Sequence, residues 1–189
     1  MKRFALLLIA PVMIAATPLV APQSYVRDAA HSQINFVAES RLLSAHGTFD
    51  RWDAEILFDA EQVEATSLKI TIDAKSINTR IGMRDNHLKS NDFFAADSFP
   101  SITFVSTRVN KTAENRMLVT GDLTIRGRTK RVAIPVRLNF FDAASNTGRV
   151  TGQFVIDRTE FGVSFNPPTN PIESEVAVQF DVTFQKPRA

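Results

Sequence analysis

Hydrophobic and polar residues alternate along most of the chain from Ser32 onward. In residues 175–184, for example, valine and phenylalanine alternate with mostly polar residues. Successive side chains of a strand point to opposite faces of its sheet, so a period of two predicts strands with one apolar and one polar face. About eight segments show the pattern, at residues 32–40, 47–58, 67–73, 101–109, 117–125, 131–140, 149–157 and 175–184.

The connections between these segments predict antiparallel pairing. Arg126 and Gly127 separate two long strands as a tight hairpin does, and residues 145–148 (Ser-Asn-Thr-Gly) separate the next two. Residues 78–94 are the one stretch with a helical period, which disfavours βαβ units and a parallel sheet. Pro135 falls inside a predicted strand and cannot donate a ladder hydrogen bond, so we expect a bulge or a locally unpaired position there.

Strands with one apolar face can pack as a two-sheet sandwich or close into a barrel that holds a ligand, and the period is compatible with both. The aromatic content favours the barrel. The chain contains 15 Phe but only one Trp and one Tyr, and phenylalanine has no polar atom that would need a partner in an apolar lumen. The competing interpretation is an ordinary solid core rich in phenylalanine.

The N-terminus carries a secretory signal pattern, in which Lys2 and Arg3 precede an apolar run over residues 4–14 and small residues follow. We therefore expect a signal peptide over residues 1–22, with its cleavage position open, and a single domain over residues 23–189. An uncleaved membrane anchor is the alternative. It would need roughly 20 apolar residues, and prolines interrupt this run.

Composition argues against several classes of function. Loss of the signal peptide lowers Lys+Arg from 22 to 20, equal to Asp+Glu, so no nucleic acid partner is expected. The absence of cysteine excludes disulfides, a lipidated N-terminal cysteine and thiolate metal sites. His31, His46 and His87 do not have the spacing of metal ligands within one helix or strand. We expect neither a metal nor a cofactor.

A series of short motifs runs in order along the predicted domain. The series includes Asp28-Ala-Ala-His31-Ser32, Ile34-Asn-Phe36, Gly47-Thr-Phe49, Arg84-Asp85-Asn-His87-Leu88, Phe99-Pro100-Ser-Ile102-Thr-Phe104, Gly121-Asp-Leu123-Thr124-Ile125 and Asp157-Arg158-Thr-Glu-Phe161-Gly162. Each motif is weak by itself. In this order and spacing they resemble the YceI-like family, exported bacterial barrels of lipocalin-like shape that are described as polyisoprenoid-binding.

The resemblance implies an all-β fold, an antiparallel eight-stranded lipocalin-like barrel with one short helical segment. It also implies a long apolar cavity, a periplasmic location and a long-chain isoprenoid or fatty amphiphile as the ligand that is carried or sequestered. Many members have a histidine a few residues after the phenylalanine of the first strand, where this chain has Ser40, and this difference bears on the preferred head group. The oligomeric state stays open, a dimer included.

Apolar side chains of the predicted strands and of the helical stretch are expected to line the cavity. These residues are Ile34, Phe36, Trp52, Phe58, Ile70, Ile72, Leu88, Phe93, Phe94, Phe104, Leu123, Val136, Leu138, Phe154, Ile156, Phe161, Val178 and Phe180. Burial of a long tail against them would supply most of the affinity, at roughly 25 cal/mol per Å².

A candidate site for the ligand's head group lies in the helical stretch. Arg80, Arg84 and His87 are spaced by four and three residues, so they share one face of a helix and could bind a phosphate or pyrophosphate. The competing interpretation is a solvated basic face, in which Asp85 and Lys89 form an ordinary i, i+4 pair.

An enzyme acting on a lipid-like substrate is the alternative function. Asp28 and His31, followed by Ser32, or Asp85 with His87, supply residue types of general acid–base catalysis. Three side chains within five residues of one extended segment cannot easily align as a triad, and no Gly-x-Ser-x-Gly motif is present. We therefore expect binding and not catalysis.

Transient contact with a membrane surface is a further hypothesis. Arg126, Arg128, Lys130 and Arg131 cluster at the tip of a predicted hairpin and could contact anionic lipid head groups. The competing interpretation is a solvated turn, because a few charges spread over a tip give only modest attraction in salt.

Overall fold

The computed structural model describes residues 21–187. The strand segments in this range are β1 (Gln23–Arg27), β2 (Gln33–Ser40), β3 (Ser44–Phe49), β4 (Trp52–Phe58), β5 (Ser67–Asp73), β6 (Ile77–Asn78), β7 (Ser101–Ala113), β8 (Arg116–Ile125), β9 (Arg128–Asp142), β10 (Thr147–Asp157) and β11 (Ile172–Gln185), and the helix α1 spans Gly82–Lys89. All but the last two residues of the predicted signal peptide, 1–22, lie outside the described residues, so it stays a prediction. No helix in the described range is long and apolar enough to cross a membrane.

Within this range the strand segments form a closed, antiparallel barrel of eight strands. Three of the eight are kinked, and each contributes two segments: β1 with β2, β3 with β4, and β5 with β6. The pairing shows this. β1 pairs with β4 and β2 pairs with β3, so the strand made of β1 and β2 lies beside the strand made of β3 and β4. In the same way, β4 pairs with β5 and β3 pairs with β6, so the strand made of β3 and β4 also lies beside the strand made of β5 and β6. The barrel closes where β11 pairs with both β1 and β2. The predicted barrel is thus confirmed.

Polar contacts hold the chain where the strands bend. The Arg51 guanidinium binds the Asp73 carboxylate through Nε and Nη2, at 3.0 and 2.7 Å. The Ser76 hydroxyl donates to the carbonyls of Arg51 and Asp73, at 3.1 and 2.7 Å. These bonds join the kink between β3 and β4 to the kink between β5 and β6, and they engage backbone groups near the points where the ladder is interrupted.

The apolar face of each strand points into the barrel, as the period of two predicts. In β8, Met117, Val119, Leu123 and Ile125 are buried, while the residues between the buried positions remain partly accessible. The alternation fails at one place in β9. A register shift opposite Arg149 and Val150 leaves an extra residue in β9, which changes the phase of the strand. Phe140 is therefore exposed, although the pattern predicts it on the apolar face.

Pro135 marks the point at which β9 separates from β10. Pairing of β9 with β10 runs from Asp142 to Val136 and then stops. Pairing of β9 with β8 continues through Pro135 to Arg128. The predicted unpaired position is confirmed on the β10 side of the strand, since the proline nitrogen has no hydrogen to donate to a ladder.

The helix α1 is shorter than the predicted helical stretch over 78–94. Asn78 belongs to β6, and Arg80 has a φ of +64°, in the left-handed region that a right-handed helix cannot include. After the helix, residues 91–94 form a turn in which Phe94 N–H donates to the carbonyl of Leu88, at 3.0 Å. This helix and the following turn lie at the end of the barrel where β6 finishes.

An ion pair on the outer surface links β10 to β11. Arg149 binds the Asp181 carboxylate with both its Nε and Nη2, at 2.8 and 2.6 Å. The hydrogen bonds from Arg149 hold the pKa of the Asp181 carboxyl below its usual range. A carboxylate with a depressed folded-state pKa stabilises the fold above its unfolded-state pKa, and this contribution is lost as the pH falls through the folded-state pKa.

We expect Asp181→Asn to lower the free energy of unfolding at neutral pH by at most about 1 kcal/mol, because the pair is partly exposed. The deficit should shrink at acid pH, as the wild-type carboxyl also becomes protonated. Urea unfolding of both proteins at the two pH values measures this difference, and Arg149→Gln completes a double-mutant cycle. A deficit of equal size at both pH values would show that the ion pair is not its cause.

Candidate ligand-binding cavity

The barrel encloses an elongated cavity of about 620 Å³ with a mostly apolar lining. Ligand pockets commonly measure about 300–1,000 Å³. On β11 the lining extends from Ile172 to Phe184, roughly 40 Å along the strand at about 3.3 Å per residue. With strands tilted by about 40°, this corresponds to about 30 Å along the barrel axis. The competing interpretation of a solid phenylalanine-rich core is therefore wrong.

The predicted apolar residues line this cavity, with two exceptions. Trp52 is buried at a strand kink, where the Arg27 guanidinium lies 4.2 Å from its ring centroid. Leu138 packs against the aromatic residues that close one end of the barrel. The alternation placed Leu138 on the correct face but could not give its depth along the barrel. Contact of the lining residues with a ligand stays a prediction.

Phenylalanine rings lie over glycines of neighbouring strands. Within the described residues, such pairs are Phe36 with Gly47, Phe104 with Gly121, Phe180 with Gly152 and Phe184 with Gly148. A Cβ atom added to Gly47 would lie only 2.2 Å from a ring carbon of Phe36. The ring therefore occupies the space that a side chain at position 47 would need, and the lumen stays open.

Aromatic rings close the end of the barrel far from α1. Tyr25, Phe58, Phe141 and Phe184 contact one another, with ring centroids 5.0 to 6.3 Å apart. Burial raises the pKa of the Tyr25 hydroxyl, so this end stays uncharged at neutral pH. Phe58 and Phe184 also line the cavity and form its floor.

The opposite end of the cavity, beside α1, is polar. Of the described residues with polar side chains in the lining, only Thr66 lies elsewhere; the others are Ser40, Arg84, His87, Arg158 and Asn170. No acidic side chain among residues 21–187 lines the cavity. The charge at this end is therefore basic, and its side chains can donate hydrogen bonds.

Two of the three predicted head-group residues reach the cavity. Arg84 donates from Nε to the Thr79 hydroxyl at 2.7 Å and from Nη2 to the Thr79 carbonyl at 3.0 Å. His87 Nε2 lies 2.8 Å from an oxygen of Asp92. Arg80 does not line the cavity, because its left-handed backbone keeps it out of the helix whose face it was predicted to share.

Arg158 is a charged cavity residue that the alternation of hydrophobic and polar positions does not identify. It is 6% exposed and donates to the carbonyls of Val163, Phe165, Ile172 and Glu173, at 2.6 to 3.2 Å. Burial lowers the pKa of its guanidinium from the ordinary value, but an arginine stays charged at neutral pH. Among the described residues it forms no ion pair, so its charge is stabilised by the carbonyl dipoles and, through space, by the Asp157 carboxylate. In the sequence, the only feature that could have identified Arg158 as a site residue was its position in the Asp157-Arg158 motif.

The residues of the enzymatic alternative are not assembled at the cavity. His31 lies 2.8 Å from Asp28, but its side chain is 73% exposed and neither residue lines the cavity. The Ser32 hydroxyl bonds to the backbone of Thr183. Asp85 accepts from Thr79, and His87 pairs with Asp92. In residues 21–187, no group of three or more His, Asp or Glu could hold a metal ion.

The basic tip between β8 and β9 makes internal contacts. Arg126 donates to the carbonyls of Asn91, Phe93 and Gly162, at 2.7 to 2.9 Å, and so ties the tip to the turn after α1. Arg131 pairs with Asp122, and Lys130 lies 3.8 Å from Glu160. The tip therefore offers less free positive charge to a membrane than the sequence suggests.

Comparison with known sequences identifies the family of the chain and several relatives. The model of the YceI-like domain matches residues 25–184. A UPF0312 protein of Staphylococcus aureus strain USA300 is 36% identical over 148 residues, covering 76% of this chain and 84% of the relative. A UPF0312 protein of strain N315 is 37% identical with the same coverage.

Solved structures show the same fold. BcnA of Burkholderia cenocepacia is 28% identical, with a TM-score of 0.77, over 83% of this chain and 98% of that one. The YceI protein of Campylobacter jejuni is 25% identical, with a TM-score of 0.71, over 78% and 88%. A polyisoprenoid binding domain from Saccharophagus degradans shares the fold at 18% identity, with a TM-score of 0.68, over 86% and 98%. On its sequence, its barrel and its apolar cavity, the chain belongs to the YceI-like family.

Proposed function

We propose that the protein binds a long-chain amphiphilic lipid of isoprenoid type and carries or sequesters it in the periplasm. The main support for this proposal is the distribution of polar and apolar residues along the cavity. An apolar lumen runs along the barrel, and the polar lining residues, apart from Thr66, gather beside α1. An amphiphile fits this arrangement in one orientation, with its tail towards Phe58 and Phe184 and its head beside Arg84.

The tail supplies most of the binding energy. A chain that removes roughly 400 Å² of apolar surface from water gains about 10 kcal/mol at 25 cal/mol per Å². The loss of translational and conformational freedom on binding offsets part of this gain. The polar end then fixes the orientation of the ligand and selects among head groups.

The polar end favours a head group rich in hydrogen-bond acceptors. Among the described lining residues, the ionisable ones are Arg84, His87 and Arg158, all basic. Arg84 is held by Thr79, which in turn donates to Asp85. A preorganised guanidinium loses little freedom when it binds a phosphate. A polyprenyl phosphate therefore fits better than a polyprenol, while an isoprenoid quinone or a fatty amide could use its carbonyl oxygens.

Three further observations support the ligand class, the periplasmic location and a binding role in place of catalysis. The domain from Saccharophagus degradans, described as polyisoprenoid-binding, shares this fold. The basic and apolar pattern at residues 1–22 is that of an export signal. The acid–base pairs of the enzymatic alternative lie outside the cavity or have separate partners.

We expect protein purified without detergent from bacterial cells to contain a long-chain lipid in a ratio of about one to one, because one elongated cavity holds one tail. Solvent extraction followed by mass spectrometry identifies the lipid, and delipidated protein should then bind added polyprenols. A protein that is empty as purified and also fails to bind polyprenols would rule out the proposed function.

Arg84→Ala should lower the preference for polyprenyl phosphate over the neutral polyprenol by about tenfold, since a hydrogen bond to a charged group contributes roughly 1.5 kcal/mol or more. Arg80→Ala is the matched control, because Arg80 lies outside the cavity, and its preference should match that of the wild type. Competition binding with the two lipids measures both variants. An unchanged ratio in Arg84→Ala contradicts the head-group role.

Gly47→Ala should narrow the lumen, because the added methyl group displaces the Phe36 ring. We expect a loss of about 1–3 kcal/mol in unfolding free energy and weaker binding of the longest prenols in a chain-length series. Gly82→Ala is the control, since nothing lies within 4 Å of the added atom. The double variant with Phe36→Leu should recover part of both losses. Equal effects of the two alanine substitutions would refute this explanation of the open lumen.

A further inference from the structure

Two exposed apolar tips flank the polar end of the cavity. Leu42 and Leu43 form the turn between β2 and β3, and the Leu42 side chain is 72% exposed. Ile81 and Met83 stand at the start of α1, and Met83 is 86% exposed. We call residues 41–43 and 80–83 the mouth rim. Leu43 lines the cavity, and so does Arg84, which directly follows Met83.

The first tip is held in place by hydrogen bonds. Ser40 donates to the carbonyl of Leu43 from both its N–H and its hydroxyl, each at 2.9 Å. Leu42 N–H donates to the side chain of Asn170 at 3.1 Å, and Arg41 N–H to the carbonyl of Pro171 at 3.0 Å. The exposed leucines are thus carried on a turn that is fixed to the loop before β11.

The second tip depends on an unusual backbone conformation. Arg80 has a φ of +64°, which is unfavourable for a residue with a side chain by roughly 1–2 kcal/mol. Its N–H donates to the Asn78 side chain at 2.9 Å, which fixes the turn. Backbone strain of this kind is often found at functional sites. Here the turn leads directly into the exposed Ile81 and Met83.

Each tip also begins with an arginine. Arg41 precedes Leu42, and Arg80 precedes Ile81. Both arginines are exposed and have no ion-pair partner among residues 21–187. Exposed apolar side chains beside unpaired basic ones complement an anionic bilayer, in which lipid phosphates attract the guanidinium groups while the acyl region accepts the apolar groups.

We propose that the mouth rim docks the protein onto an anionic phospholipid bilayer, so that the cavity opens against the membrane that supplies or receives its lipid. The biological role of this docking rests on the proposed function, but the docking itself can be measured independently of lipid binding. It assigns the membrane contact to the mouth rim and not to the basic tip between β8 and β9, where Arg126 and Arg131 are engaged internally.

Vesicle flotation tests the docking with purified wild-type protein. The two probes are vesicles of phosphatidylcholine and vesicles of phosphatidylcholine mixed with phosphatidylglycerol. Leu42→Ser with Met83→Ser should lower partitioning onto the anionic vesicles at least about tenfold, because two large side chains no longer enter the apolar region. Phe140→Ser with Val155→Ser is the matched control, since both residues are exposed outside the rim, and it should float like the wild type.

Substitution of the two rim arginines separates the electrostatic contribution to vesicle binding from the contribution of the apolar side chains. Arg41→Gln with Arg80→Gln should weaken binding to the anionic vesicles about fivefold for each arginine. The same variant should bind the neutral vesicles as the wild type does. Rising salt should remove the difference between the two kinds of vesicle.

Flotation of the rim variants at the wild-type level would overturn the proposal. If light scattering then also shows that these variants have lost a dimer, the rim is instead an interface between copies of the chain. Binding of a short, water-soluble prenyl phosphate is measured in parallel, and it should not change in these variants because Leu42, Met83, Arg41 and Arg80 do not line the cavity. A wild type that floats but binds no prenyl lipid would refute the proposed function and leave the docking supported.

Discussion

The width of the lumen depends on how phenylalanine rings and glycines share the barrel wall. Phe36 and Gly47 face each other across β2 and β3, and Phe180 and Gly152 across β11 and β10. In each pair the ring fills the space where a side chain of the opposite strand would stand. Bulk placed in this way closes the wall without filling the centre, and the cavity of about 620 Å³ is the consequence.

The chemical difference between the two ends of the barrel gives the cavity a direction. Tyr25, Phe58 and their aromatic neighbours close one end with rings that carry no charge. Arg84, His87 and Arg158 give the other end a basic lining without acidic partners in it. A ligand with a long tail and an acceptor-bearing head is the class of molecule that satisfies both ends at once.

Arginines at the polar end have three different structural roles. Arg126 and Arg158 donate to backbone carbonyls and fasten the turn after α1 and the loop before β11. Arg84 is oriented by Thr79 and lines the cavity. Arg41 and Arg80 are exposed at the mouth rim. These roles follow from depth and from the available acceptors, neither of which can be inferred from the residue type.

Much of the site could be predicted from the chain because strand periodicity depends on local geometry. Alternation identified the inward face of each strand, and so most of the cavity residues, before any pairing was known. The alternation gave a wrong prediction where a bulge or a kink changes how the strands pair. Phe140 is exposed because an extra residue in β9 changes the phase, and Trp52 lies at a kink between strands. Arg80 left the predicted site because of its backbone conformation.

The sequence by itself determined the antiparallel strands, the apolar face of each and the family to which the chain belongs. The tertiary structure decided that the barrel is hollow, which end is polar, and that Arg158 belongs to the site. The physical reason is the range of the interactions involved. The side-chain alternation of a strand is set by neighbours along the chain, whereas a ring over a glycine or a guanidinium among carbonyls needs segments that are distant in sequence to meet.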